Sequence, residues 1–190
     1  QVYQLAFSTF VMPTKHVAKR YITLLLTGVP GTGKTTLARE LAPALNARVL
    51  VEKIFASKKG VGKWNDQTKE FDVDLPALRK ELLARICSAK HNLIIDGHLS
   101  CDIRLPVSGV IVTHCPYSTL ERRLRSRNYS EVKIQENLFC EETHYADDAV
   151  KKNYPHTRTL HVMTHRPKKG VKRSVMLWMN LLGKGSRKTK

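Results

Sequence analysis

Three observations place this chain among three-layer α/β proteins built on a mostly parallel sheet. Short apolar runs alternate with helical periodicities along most of the sequence. The apolar runs are continuous rather than alternating, the pattern of strands covered on both faces. The first of them passes directly into a glycine-rich turn and then a helix, the opening of a βα unit.

Tyr21 to Thr27 (YITLLLT) is the first buried strand. From Lys34 the leucines recur at intervals of four (Leu37, Leu41, Leu45), and Pro43 predicts a kink or an early end to that helix. Val49 to Val51 is a second short strand. Residues 52–73 are polar, contain Gly60 and Gly62, and are read as irregular. Asp74 is an N-cap, with Pro76 in the first turn and Leu78, Leu82, Leu83 and Ile86 as the apolar stripe of a helix to about Lys90. Asn92 to Asp96 (NLIID) is the next strand, and Val110 to Val112 marks another. Ser118 followed by Glu121 reads as a capping box for the basic helix LERRLRSR. Ser130 caps a longer helix to about Asn153. Thr159 to Met163 is the last strand and Val171 to Leu182 the last helix.

A chain of 190 residues has room for one ordinary domain and a core that needs no metal or disulfide. The domain is read as residues 21–183, between a basic N-terminal extension (1–20) and a basic tail (184–190) taken as disordered. Residues 1–11 precede Met12, and whether they are native is left open. The net charge of +17 makes an anionic partner a live hypothesis, but it is unevenly placed. Residues 1–20 carry +3, residues 21–150 only +2, and residues 151–190 carry +12 with no acid. Cys87, Cys101, Cys115 and Cys140 form no C-x-x-C pair, so a reduced intracellular protein is expected, in nucleus or cytoplasm. No run approaches the roughly 18 apolar residues of a membrane span, and no membrane partner is expected.

Gly28-Val29-Pro30-Gly31-Thr32-Gly33-Lys34-Thr35 matches G-x-x-x-x-G-K-[ST] at every constrained position. Glycines let the backbone approach a polyphosphate and turn its N–H groups inward at a helix N-terminus. Lys34 would sit on the β- and γ-phosphates and the Thr35 hydroxyl would hold Mg²⁺. A chance strand-to-helix turn is the bland alternative, but the motif lies where the chemistry needs it. ATP and Mg²⁺ are therefore the expected ligands.

Asp96, ending its strand, is placed to orient Mg²⁺ beside Thr35, and His98 puts an imidazole over the same crevice. Their bland readings are a strand-ending turn residue and a satisfied loop histidine. Arg122, Arg123, Arg125 and Arg127 crowd one short helix, and Arg123 and Arg127 stand i, i+4, so both could close over a transferring phosphoryl group. A solvated basic helix is the alternative for any one of them. No N-K-x-D base-recognition motif is present, which disfavours a regulatory GTPase.

These residues resemble a known family. TGVPGTGKTT at 27–36, D-x-H at 96–98 and RLRSRNYSEVKIQENLFCEE at 123–142 are similar to the adenylate kinase isoenzyme 6 family, an atypical group of adenylate kinases and ATPases with archaeal relatives. The resemblance covers roughly residues 21–153. It implies a P-loop nucleoside monophosphate kinase fold, with a monophosphate-binding region about 52–74 and a short lid about 123–133. It implies binding of ATP phosphates by Gly31, Gly33, Lys34, Thr35 and Thr36. Arg127 is then the lid arginine, and Asp96 and His98 are the pair that positions Mg²⁺ and the attacking water. It also implies adenylate kinase and ATPase activity in late small-subunit ribosome assembly, with a platform ribosomal protein and the maturing small-subunit rRNA as partners.

Three departures matter. The lid glycine is Asn128, a tolerable change if that position is left-handed. The arginine the family commonly has at the end of a following core strand is His114. The monophosphate region offers Lys53, Lys58, Lys59 and Lys63 but no arginine between 49 and 78, which weakens the expected grip on AMP. Two other functions stand beside the kinase and ATPase reading: a nucleotide-gated RNA- or ribosomal-protein-binding module, supported by the basic C-terminal segment, and a metabolic kinase of the shikimate or dephospho-coenzyme A type. For the basic segment, a solubilising or targeting role is an equal alternative to pre-rRNA contact.

Overall fold

In the computed structural model, which describes residues 21–66, 70–165 and 168–185, five parallel strands form the central sheet. They are β1 (Thr23–Thr27), β2 (Ala47–Val51), β5 (Asn92–Asp96), β6 (Gly109–His114) and β7 (Thr159–Met163), in the order β2-β5-β1-β6-β7. An antiparallel pair, β3 (Gly62–Asn65) and β4 (Glu70–Val73), stands apart from it. The helices are α1 (Lys34–Ala44), α2 (Glu52–Lys59), α3 (Leu75–Cys87), α4 (Tyr117–Arg125), α5 (Glu131–Glu142), α6 (Tyr145–Asn153) and α7 (Lys168–Gly185).

The run Leu24-Leu25-Leu26 shows how the sheet divides the core. Successive side chains of a strand point to opposite faces. Leu24 and Leu26 join Ile94 and Ile111 against α1 and α7, through Leu37, Leu41, Val175 and Met179. Leu25 joins Ile95, Val110 and Val112 against α2, α3 and α6, through Ala56, Leu78, Leu82 and Val150. A third cluster, Val29, Leu120, Leu124, Ile134 and Leu138, seats α4 and α5 on the glycine-rich loop. Burying an apolar side chain contributes about 1.5–3 kcal/mol, so these clusters fix the loop's surroundings from three sides.

The caps at Asp74 and Ser130 form as their side chains require: Asp74 Oδ1 accepts from the Ala77 N–H at 2.9 Å and Ser130 Oγ from the Lys133 N–H at 3.3 Å. The chain departs from the sequence expectations in four places. Residues 52–73 are regular rather than irregular, because Gly60 ends α2 in the left-handed region (φ 64°) and turns the chain into the β3–β4 hairpin. Ser118 does not cap α4; the helix starts one residue earlier behind Pro116, whose carbonyl accepts from the Thr119 and Leu120 N–H groups. The long helix after Ser130 is two helices. Thr143 donates its hydroxyl to the Phe139 carbonyl at 2.8 Å and His144 adopts φ 55°, which breaks the ladder. Lys184 and Gly185 complete α7 instead of beginning the tail, and residues 186–190 lie outside the described residues, as do residues 1–20. No helix among the described residues is long and apolar enough to cross a membrane.

Candidate active site

The glycine-rich loop leaves the carboxyl end of β1, the central strand, where the sheet's connections reverse direction and ligands of open α/β sheets bind. Gly28 has φ 132°, and a Cβ there would collide with the Thr113 carbonyl of the next strand, so only glycine fits. Thr32 closes the turn: its hydroxyl donates to the Val29 carbonyl at 2.8 Å and lies 2.7 Å from the Thr113 hydroxyl, which donates to the Thr27 carbonyl. The N-terminus of α1 begins at Gly33, also left-handed at φ 97°, and presents Thr35 and Thr36 to the cleft. Lys34 folds over the loop, its Nζ donating to the carbonyls of Gly28 (2.7 Å) and Val29 (3.0 Å). Burial lowers its pKa to about 8, against the opposing pull of Asp96 and Glu52. A phosphate would offer that ammonium stronger acceptors than two carbonyls.

Facing the loop across a cleft of about 750 Å³ are Asp96 and His98. Asp96 is 4% exposed, and its Oδ2 has no hydrogen-bond partner among the described residues. A buried carboxylate oxygen left unpaired costs free energy unless something else meets it. A hard cation beside the Thr35 hydroxyl would do so, and the residues therefore fit Mg²⁺. His98 is half-exposed on the cleft wall; desolvation there, with the charges of Lys34 and Lys53, lowers its pKa to about 4. It is a neutral imidazole at neutral pH, able to accept a proton or orient water.

Glu52, which the sequence reading passed over, organises this wall. It is 1% exposed, accepts from the Leu99 N–H at 3.0 Å and from the Ser100 hydroxyl, and lies 3.9 Å from His98 Nδ1. Gly97 packs so closely on it that any Cβ would overlap the carboxylate. Burial raises the Glu52 pKa, opposed by those hydrogen bonds. The available signal was its place: an acid immediately after a strand, at the carboxyl edge of the sheet.

The two arginines do not share a helix face, although both border one hollow. α4 ends at Arg125, so Arg127 lies beyond the helix and the i, i+4 face expected for the pair does not exist. Arg127 is exposed and lines the main cleft. Arg123 turns to the back of the loop, where Nη1 donates to the Gly31 carbonyl (3.1 Å) and to Thr164 Oγ1 (3.3 Å). There it borders a second hollow of about 350 Å³ together with Thr36, Glu40, Arg127 and Thr164. Asn128 has φ 56°, the left-handed conformation expected at its place in the turn after α4. The lid is braced by Arg125, which reaches Glu121 and Glu131 at 2.8 Å each.

Of Lys53, Lys58, Lys59 and Lys63, Lys53 alone lines the cleft, joined by Lys133 of α5, which was not anticipated. Lys59 pairs instead with Glu81 at 2.8 Å.

A phosphate loop on the central strand of a parallel sheet, an unpaired buried carboxylate opposite and an arginine-rich helix with its following turn define a P-loop protein of the nucleotide-kinase fold. A gluconokinase from Sinorhizobium meliloti shares this fold (TM-score 0.60, 15% identity, 89% of this chain and 98% of that one). So does a deoxyadenosine kinase from M. mycoides with bound dATP (TM-score 0.56, 15% identity, 84% and 100%). A family model described as an AAA domain matches residues 24–144. An adenylate kinase isoenzyme 6 homolog from Caenorhabditis elegans is 35% identical over 127 residues, 65% of this chain and 69% of the relative. A protein of Pyrococcus furiosus named a putative adenylate kinase is 38% identical over 120 residues. The chain belongs to the AAA domain family and, among its members, to the adenylate kinase isoenzyme 6 family. Its match spans 62% of the length of the Pyrococcus furiosus relative.

Proposed function

We propose that the protein binds ATP with Mg²⁺ and transfers its γ-phosphoryl group to AMP or, when no acceptor is seated, to water. The observation that carries this reading is the pairing of Lys34, folded over the phosphate loop, with the unpaired, buried Asp96 across one cleft. Lys34, Thr35 and Thr36, with the backbone N–H groups of Gly31 and Gly33, would bind the phosphates; Thr35 and Asp96 would hold Mg²⁺, which neutralises charge on the transferring group. Arg127 would close from the lid, and Arg123 would brace the loop from behind. His98, neutral and half-exposed, would place a water molecule when AMP is absent.

We infer further that this ATP turnover serves small-subunit ribosome assembly, with a platform ribosomal protein and pre-rRNA as partners, a reading supported by the resemblance of the sequence and by the cationic ends of the chain. That work belongs to a reducing compartment, nucleus or cytoplasm, consistent with four free cysteines. Nucleotide turnover measured with ATP alone and with ATP plus each nucleoside monophosphate tests the reading. Stimulation by AMP above a slow ATP-only rate supports it. No turnover under any of these conditions, with ATP still bound, would instead support the nucleotide-gated binding module.

A further inference from the structure

On the other side of β6 from the phosphate loop, three elements bring unlike donors to one point. His114 ends β6, His161 lies on β7 and Asp147 lies in the first turn of α6. His161 Nδ1 is 2.9 Å from Asp147 Oδ1, His114 Nε2 is 3.5 Å from the same oxygen, and the two ring nitrogens are 3.5 Å apart. A zinc ion with ligands about 2.0–2.1 Å away in tetrahedral array separates them by about 3.3 Å. The three atoms thus already outline one face of such a tetrahedron.

Two further features point to an ion. Asp147 is 8% exposed, and its second oxygen, Oδ2, has no hydrogen-bond partner among the described residues; His144 Nδ1 lies 3.6 Å from it. His114 Nδ1 faces Glu141 Oε1 at 3.2 Å, and that carboxylate is itself anchored by the Cys115 N–H at 3.1 Å. A carboxylate behind a histidine fixes the tautomer that leaves Nε2 as the ligand atom, the outer-shell arrangement of zinc-binding histidines. Glu141, Asp147, His144 and His161 are the titratable groups around His114. The hydrogen bond to Glu141 chiefly raises its pKa.

We propose that His114, Asp147 and His161 form a binding site for a divalent transition-metal ion of the zinc class, with Glu141 orienting His114 and the fourth position taken by water or His144. Two imidazoles and one carboxylate favour zinc over magnesium or calcium, which prefer all-oxygen sets. The ion clamps β6, β7 and α6 together. The clamp is continuous with the phosphate loop, since the His114 carbonyl accepts from the Thr164 N–H at 2.9 Å and Thr164 Oγ1 donates to the Thr32 carbonyl. The site stands apart from Asp96 and Thr35 and does not depend on the proposed phosphotransfer.

The test uses the full chain without a polyhistidine tag, stripped with chelator and titrated with Zn²⁺ by calorimetry and with Co²⁺ by visible absorption, in the absence of nucleotide. One equivalent should bind, with the visible bands of a four- or five-coordinate Co²⁺–imidazole complex, and saturating Zn²⁺ should raise Tm by several degrees. His161→Ala removes a half-exposed side chain and should fold normally. It should lose the bands and weaken binding by about 100-fold or more, while Glu141→Gln should weaken it about 10–100-fold. Asp96→Asn should leave both unchanged. A wild-type chain that takes up no Co²⁺ at 0.1 mM, about the weakest useful affinity for such a site, would overturn the proposal. So would bands that survive His161→Ala or vanish in Asp96→Asn.

Discussion

The two walls of the nucleotide cleft are built differently. The phosphate-loop wall is fixed through buried contacts: Gly28 against Thr113, Thr32 bonded within the loop, and Arg123 braced between Gly31 and Thr164. The acceptor wall, α2 with the β3–β4 hairpin, presents exposed side chains, and the cation it turns to the cleft is Lys53 on a flexible stem. The donor wall holds its groups in place before any nucleotide arrives, and preorganised charge is what lowers a phosphotransfer barrier. The acceptor wall must order its lysine on binding, at a cost in side-chain entropy. On the proposed function, this asymmetry predicts firm handling of ATP and a looser hold on the acceptor.

The largest effect should come from the donor wall. Lys34→Ala should lower kcat/KM for ATP on the order of 10²–10³-fold in steady-state assays, because the lost charge acts on the transferring group. Next is His98→Ala, which should reduce kcat for ATP hydrolysis by about 10²-fold while ATP binding, followed by calorimetry, changes less than about twofold. Equal losses in both would make His98 structural.

The pH profile sharpens the same contrast. Lys34 is cationic below about 8 and loses its charge above it, so kcat/KM should fall by up to about tenfold per pH unit beyond pH 8. Because His98 is neutral above about 4, the acid limb should show no inflection near 6.5. The smallest effect belongs to the acceptor wall. Lys53→Ala should raise KM for AMP only about two- to fivefold, the range of an exposed charge contact, and leave ATP hydrolysis intact.

The two walls also differed in how far the sequence revealed them. The donor wall was legible because its requirements are local: a buried strand, a motif of fixed spacing and a helix start lie together between Thr23 and Ala44. Asp96 and His98 were legible for the same reason, at the end of a strand whose limits the sequence reading matched. Asn128 was legible because left-handed backbone is a single-residue property. Glu52 and Lys133 were not, since their importance lies in contacts to Ser100 and Leu99, or in lining a cleft from α5, which no local pattern encodes. The separation of Arg123 from Arg127 was missed because i, i+4 spacing aligns side chains only while the helix continues, and α4 stops at Arg125. The convergence of His114, Asp147 and His161 from three elements was invisible for the same long-range reason.

In the proposed function one cleft, anchored by Lys34, moves the γ-phosphoryl group of ATP to AMP. Phosphorus NMR of ATP, AMP and Mg²⁺ incubated with the wild-type chain and with Lys34→Ala addresses it directly. With the wild-type chain two ADP should form per ATP consumed, faster than phosphate release from ATP alone, and Lys34→Ala should slow both processes by about 10²-fold or more. ADP formation at an undiminished rate in Lys34→Ala, or a wild-type chain that leaves ATP and AMP unchanged, would contradict that role.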